Sequence, residues 1–186
     1  MDNESINMEE KELLKLSKQG DHKAFQRLVA CFEQPIAVVV KGILGDCAEA
    51  EDVGQEVFIR FYQSMHQFNG KSTLKTYLIR IAINLSLNEI KKRKSSLSIS
   101  NNDISLELMT KETESSNFEN KDLLDKAMKQ IPPEHRSIVV LRLIQGYSVK
   151  ETANILEIAE GTVLSRLSRA QEKLKQILKP VNSILS

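Results

Sequence analysis

Apolar residues return every three to four positions along most of this chain, and nowhere over a comparable length do they alternate at period two. That spacing predicts helices and no sheet. Asp21 is placed to cap a helix on which Ala24, Phe25, Leu28, Val29 and Phe32 share one face. Pro35 is expected to end or kink that helix, and Gly42 and Gly45 to punctuate the next piece. Asp46 and Glu49 have capping-box spacing ahead of a stripe made by Val53, Val57, Phe58, Phe61 and Met65. After the loop Phe68-Asn69-Gly70-Lys71, Ser72 is positioned to cap a further helix, with Leu74, Leu78, Ile81 and Leu85 facing inward.

The period fades over Ser95 to Asn120, where Ser, Asn, Thr and Glu dominate. This stretch reads as a mostly flexible linker or as a segment that folds on binding. Helical spacing returns with Leu123, Leu124, Ala127, Met128 and Ile131. Pro132-Pro133 stops that helix and opens the next, which Ile138, Val139, Leu141, Leu143 and Ile144 fill until Gly146. The expected architecture is all-α. It has a helical domain over 9–95, a linker over 96–120, and a second small helical domain over 121–180 that contains a helix-turn-helix.

That last motif carries the sharpest signal. Ser148 and Glu151 have the S-x-x-E spacing of a capping box, and Ala153 is small enough for close helix approach. A break at Glu157-Ile158-Ala159 precedes a longer helix with Val163, Leu167, Ala170, Leu174 and Ile177 on its inner stripe. Thr162, Ser165, Arg166, Arg169 and Lys173 form the opposite face, and Gly161-Thr162 opens the helix with backbone N–H groups expected to be free for a phosphate. Arginine and hydroxyl side chains at that spacing suit phosphate and base edges in a DNA major groove. The plainer alternative is a solvated face on an ordinary surface helix.

Charge adds a second surface. The net charge is only +1, so the molecule as a whole does not bind polyanions by charge. Lys71 to Lys94 nevertheless holds seven basic residues and one acid, Asp46 to Glu56 five acids and no base, and Ser95 to Asn120 five acids and one base. Such asymmetry suggests separate surfaces for separate partners. Thr73, Thr76, Arg80, Asn84 and Asn88 share a face, and Lys91, Lys92, Arg93 and Lys94 finish that helix. Lysines in a last turn also satisfy the helix dipole, but four consecutive cations exceed what capping needs. The loop Phe68 to Ser72, with Tyr77 nearby, has the makings of a site for an unstacked base.

Cys31 and Cys47 form no C-x-x-C pair and read as reduced structural or surface thiols. The acidic N-terminus is unlike a secretory signal, and the longest apolar run, Pro35 to Val40, is far short of a membrane span. The expectation is a cytoplasmic protein with no membrane insertion.

As a set these residues resemble a bacterial RNA polymerase sigma factor of the extracytoplasmic-function group, within the sigma-70 family. The resemblance runs through AEDVGQEVFIRFY and FNGKSTLKTYLIRIAINLSLNEIKKRK (50–62 and 68–94), similar to sigma region 2, and through the second domain, similar to sigma region 4. It implies partners: core RNA polymerase through its β′ and β subunits, promoter DNA and an anti-sigma factor, with no cofactor. It implies that Asp52, Gln55 and Glu56 dock on the β′ coiled coil. Arg80, Asn84, Asn88, Lys91 and Lys92 would engage the −10 element as it melts. Phe68, Asn69, Lys71 and Ser72, with Tyr77, would capture a flipped base. Gly161, Thr162, Ser165, Arg166, Arg169 and Lys173 would enter the −35 major groove. Tyr77 stands where the family usually has Trp, Asn88 where an acid is common, Gly54 where a larger apolar residue is usual, and Leu164 where Lys or Arg is frequent. These departures bear on promoter sequence more than on function class.

The competing reading is a stand-alone helix-turn-helix regulator acting without polymerase. An enzyme is the poorest option, because His22, His66 and His135 are scattered and no Ser-His-Asp, metal or phosphate-loop arrangement emerges.

Overall fold

The computed structural model describes residues 3–99 and 116–182, with side chains described over 9–96 and 123–178. Among these residues the chain is α-helical: α1 (Asn3–Lys18), α2 (His22–Leu44), α3 (Ala48–Ser64), α4 (Leu74–Ile99), α5 (Ser116–Lys129), α6 (Pro133–Val139), α7 (Val149–Leu156) and α8 (Glu160–Asn182). A 3₁₀ turn over Met65–Gln67 follows α3, and a π-helical turn over Val140–Ile144 extends α6. Helix α4 runs on past the expected start of the linker and α5 begins before its expected end. Residues 100–115 of that linker lie outside the described residues.

Asp21 caps α2 as its position suggested, accepting from the N–H groups of Lys23 and Ala24 at 2.9 and 3.1 Å. Pro35 does not end the helix. Its missing hydrogen bond and ring clash cost about 3 kcal/mol. Continuing the stripe of Ala24, Leu28 and Phe32 buries Ile36, Val39, Val40, Ile43 and Leu44, each worth roughly 1.5–3 kcal/mol. Burial wins. Gly42 likewise sits inside α2, and the chain turns only at Gly45, whose φ of 86° is open to glycine.

Two other expected caps are displaced by a residue. Helix α3 starts behind Cys47, which makes no side-chain cap. Asp46, the expected cap, lies 2.8 Å from Lys41 Nζ instead. At α4 the cap is Thr73 rather than Ser72: its hydroxyl accepts from the Thr76 N–H at 3.1 Å.

Helix α4 explains the arrangement. Leu74, Leu78 and Leu85 are buried as expected while Ile81 is half-buried, and Ile79, Ala82, Ile83 and Ser86 are buried as well. One stripe cannot hold all of these. Helix α4 is sandwiched, with α2 and α3 on one side and α6 and α7 on the other. Most buried residues of both halves therefore form one continuous cluster, running from Leu28 and Phe61 through Val39, Val40 and Ile43 to Val139, Val140, Leu141 and Ile155, while Ile138, Ala153 and Val163 form a second, small one. At its tightest point a Cβ built on Gly42 would lie 2.6 Å from Val140 Cγ2.

In the second half, Pro133 opens α6 as its first residue. The π turn was not expected, and it changes which residues are inside. The Gln145 N–H reaches back five residues to the Val140 carbonyl at 2.9 Å. The extra residue rotates the next positions, leaving Leu143 and Ile144 about half exposed rather than filling the core.

Candidate nucleic-acid interface

The helix-turn-helix is built from α7 and α8. Ser148 Oγ accepts from the Glu151 N–H at 3.2 Å, and the Glu151 carboxylate accepts from the Ser148 N–H at 2.8 Å, so the capping box is complete. Those contacts hold the Glu151 carboxyl below the usual carboxylate range, first through the Ser148 side chain and then through its backbone. Glu157 makes the turn in the left-handed region (φ 56°, ψ 43°), and its N–H and that of Ile158 both return to Ala153 O. Ala153, Ile138 and Val163 are buried against one another beneath the turn. Small Ala153 is what lets α8 cross so closely.

This packing aims one face of α8 outward. Ser165, Arg169 and Lys173 are exposed, and Thr162 and Arg166 are half-buried. One expectation fails here. The Thr162 N–H donates to Ala159 O at 2.9 Å and is not free for a phosphate. The Thr162 carbonyl accepts from Ser165 Oγ at 3.1 Å. Gly161 is exposed at the mouth of the helix. The sequence also gave no reason to include His135 of α6. It lies within electrostatic reach of Arg166 and Arg169, and burial first, then those cations, pushes its imidazole below its ordinary value.

The second face lies along α4. Asn84, Asn88, Lys91 and Lys92 are exposed on it, and Arg80 is half-buried. Asn84 and Asn88 line a cleft of about 540 Å³ together with Glu56, Arg60, Gln63 and Gln67. The last three were missed, although they form a polar line at i, i+3 and i+7 flanking the apolar face of α3 and running into its 3₁₀ turn. At the head of α4, Asn69 Oδ1 accepts from the Lys71 N–H at 3.2 Å, and Lys71 is exposed with Ser72 half-buried. Tyr77 is not an open stacking plane. Its ring lies 5.1 Å from Phe68 and 6.1 Å from Phe61, with its hydroxyl 3.3 Å from Ser64 Oγ. Lys18 Nζ donates to the Phe68 carbonyl at 2.9 Å and steadies that loop from α1.

The acidic stretch is less uniform than its count of charges suggested. Asp46 pairs with Lys41, Glu49 lies 3.3 Å from Arg93, and Glu56 lies 2.8 Å from Arg60. Glu51 and Asp52 are exposed. Gln55 faces a groove of about 480 Å³ between α2 and α3, whose walls include Glu33, Glu51 and Phe58. Gln55 and Glu56 therefore address different sides of α3. Among the described residues no helix is long and apolar enough to cross a membrane.

Comparison with known proteins agrees with this geometry. The sequence matches the family Sigma-70 region 2 over residues 28–96 and Sigma-70, region 4 over residues 121–174. It is 30% identical over 180 residues to the ECF RNA polymerase sigma factor SigW of Bacillus subtilis, spanning 91% of this chain and 96% of that one. It is 30% identical over 181 residues to the ECF RNA polymerase sigma-E factor of Escherichia coli, spanning 91% and 94%. Among solved structures, the sigma factor RpoE of Bartonella quintana, co-crystallised with the anti-sigma factor NepR, shares the fold at a TM-score of 0.69 and 23% identity, over 84% of this chain and 98% of that one. CnrH, in complex with the cytosolic domain of CnrY, does so at 0.69 and 19%, over 92% and 98%. With the two sigma regions in order on two polar helical faces, and relatives aligned over almost their whole length, the chain belongs to the extracytoplasmic-function RNA polymerase sigma factors.

Proposed function

We propose that this sigma factor divides promoter recognition between its two polar faces, α8 seating the −35 element and α4 taking hold of the −10 element as it opens. A sigma factor is no enzyme; it directs core RNA polymerase to promoters, and a polymerase-independent regulator is not favoured. The observation that carries the division is the placement of Asn84, Asn88, Lys91 and Lys92 on one exposed face and of Ser165, Arg169 and Lys173 on another. The α8 face suits a major groove, with arginines for guanine edges or phosphates. The α4 face suits a single strand, with amides for base edges and cations for the backbone.

Opening needs no covalent chemistry. Flipping and unstacking a base costs a few kcal/mol. Phosphate neutralisation by Lys91 and Lys92 and contacts from the Phe68–Ser72 loop offset it. A flipped base would displace Phe68 from Tyr77. Asp52, Gln55 and Glu56 are read as polymerase contacts, with Gln55 entering the α2–α3 groove and Glu56 first released from Arg60. The protein works in the cytoplasm, where the polymerase is. An anti-sigma partner is proposed by likeness to the solved complexes.

Core polymerase, this protein and genomic promoter DNA test the reading in a run-off assay. Arg166→Ala is expected to weaken initiation that depends on a −35 element. Asn84→Ala is expected to impair opening with little effect on duplex docking. Equal losses at both steps for both variants contradict the division, and transcripts that do not depend on the added protein remove the polymerase role.

A further inference from the structure

The loop between α3 and α4 is gripped by a helix that belongs to neither reading face. Lys18 is the last residue of α1. Its Nζ donates to the Phe68 carbonyl at 2.9 Å and stands 5.9 Å from the centre of the Phe68 ring. The Phe68 N–H donates to the Met65 carbonyl at 3.2 Å, closing the 3₁₀ turn. The backbone of Phe68 is therefore held on both sides of its Cα, once by the turn and once by a charge-assisted hydrogen bond. Its ring has no comparable tie. It rests against the Tyr77 ring at 5.1 Å, tilted by 57°, and beneath the Lys18 ammonium. Rotation about χ1 carries the ring away without moving the backbone.

The space vacated by that rotation suits a base. Its neighbours are the Tyr77 ring and the Lys18 ammonium. An unstacked base can lie on the tyrosine and take the cation over its own π-face, as the phenyl ring does in this structure. Tyr77 stays in place without Phe68, because Phe61 lies 6.1 Å away and Ser64 Oγ lies 3.3 Å from its hydroxyl. Two cations near the start of α4 are committed elsewhere. Arg80 Nη2 donates to the Asn154 carbonyl at 2.6 Å, and its Nη1 lies 3.5 Å from Glu157 Oε1. Lys75 Nζ stands 5.6 Å from the centre of the Tyr147 ring.

We propose that Lys18 is a positioning residue for base capture: it anchors the Phe68 backbone while the ring swings aside, and its ammonium passes from that ring to the base that replaces it. The inference rests on the reading of the Phe68–Ser72 loop as the site of the flipped base. A side chain of α1 then decides how readily that base leaves the stack, and contributes nothing to duplex docking by α8. Its loss is expected to lower the flipping equilibrium about tenfold, roughly 1.4 kcal/mol.

The test uses core polymerase, this protein and forked promoter DNA carrying 2-aminopurine at each non-template −10 position in turn, a base that brightens when it leaves the stack. The parent is expected to brighten it at one position, and Tyr77→Ala to dim that signal. Lys18→Met is expected to lower flipping about tenfold while polymerase affinity, −35 duplex anisotropy and the urea midpoint change little. Lys18→Arg keeps a cation and a donor and is expected to restore most of the loss. In Phe68→Ala no ring competes with the base, so flipping is expected to rise, and adding Lys18→Met is expected to keep its cost. A clearly lower urea midpoint with flipping unchanged makes Lys18 a staple between α1 and the loop and overturns the proposal. A loss shared by duplex docking, a loss that Lys18→Arg does not restore, or a cost that vanishes in Phe68→Ala overturns it as well. No brightening at any position in the parent, or brightening indifferent to Tyr77→Ala, removes the loop as the base site and the proposal with it.

Discussion

Val163 is the side chain on which the helix-turn-helix depends most. It is fully buried against Ile138 and Ala153, with Val149, Leu156, Ile158 and Leu167 around them. Val163→Ala removes two methyl groups, about 0.8 kcal/mol each in lost transfer energy. The residual cavity adds about 1 kcal/mol, because α7 and α8 are already in contact and cannot close further. The expected loss is therefore about 2–3 kcal/mol. A core of this size supplies only about 3–5 kcal/mol, so the variant spends half or more of the local stability. Native-state hydrogen exchange read by mass spectrometry isolates the effect. Peptides from α7 and α8 are expected to exchange roughly 50–100-fold faster, while those from α1 and α3 hold their rates. A change of only a few-fold in α8, or an equal change in α1 and α3, refutes the reasoning that this cluster is small and separately stabilised.

Other expectations follow from single contacts. Ser148→Ala removes half of the capping box and is expected to cost about 1 kcal/mol, read as a lower urea midpoint. Glu151 has a depressed carboxyl, so its contribution is present above the unfolded carboxylate value of about 4.3 and is lost as pH falls through the folded value. Acid unfolding followed by circular dichroism is expected to shift to higher pH in Glu151→Gln. Arg136→Met leaves the carbonyls of Ile43, Lys129 and Ile131 without their donor and is expected to cost about 2–4 kcal/mol, seen as a lower urea midpoint. His135 is depressed in the free protein, so its neutral form contributes stability above the unfolded value of about 6.5 that is lost on acidification. On the proposed −35 reading, DNA phosphates drawn to Arg166 and Arg169 would work the other way and raise it. Anisotropy is therefore expected to show tighter −35 duplex binding as pH falls from about 7.5 to 6, with a flatter profile in His135→Ala.

The helices and the helix-turn-helix were legible in the sequence because their signals are local. Ser148 and Glu151 need only each other, and the stripe of Val163 and Ala170 needs only the helical period. What was not legible depends on contacts distant in sequence. Pro35 looked like an end or a kink because the residues that outweigh it, Val39, Val40 and Ile43, are covered partly by α6. Arg80 looked like a free cation because its partners lie 74 and 77 positions away. The acidic stretch looked uniform because Lys41, Arg60 and Arg93, which neutralise three of its members, are spread over three helices. The π turn left no mark at all in the pattern of Leu141, Leu143 and Ile144.

The seam where Val140 meets Gly42 is lined on both sides by aliphatic side chains, Val39, Val40 and Ile43 among them. Attraction between such surfaces comes from water and weakens on cooling. The joint between the two halves is thus sensitive to temperature. At low temperature that cohesion weakens. A neighbouring contact made of charge, such as Arg80 with Glu157, responds instead to salt. One interface thereby carries two independent sensitivities, to temperature and to ionic strength.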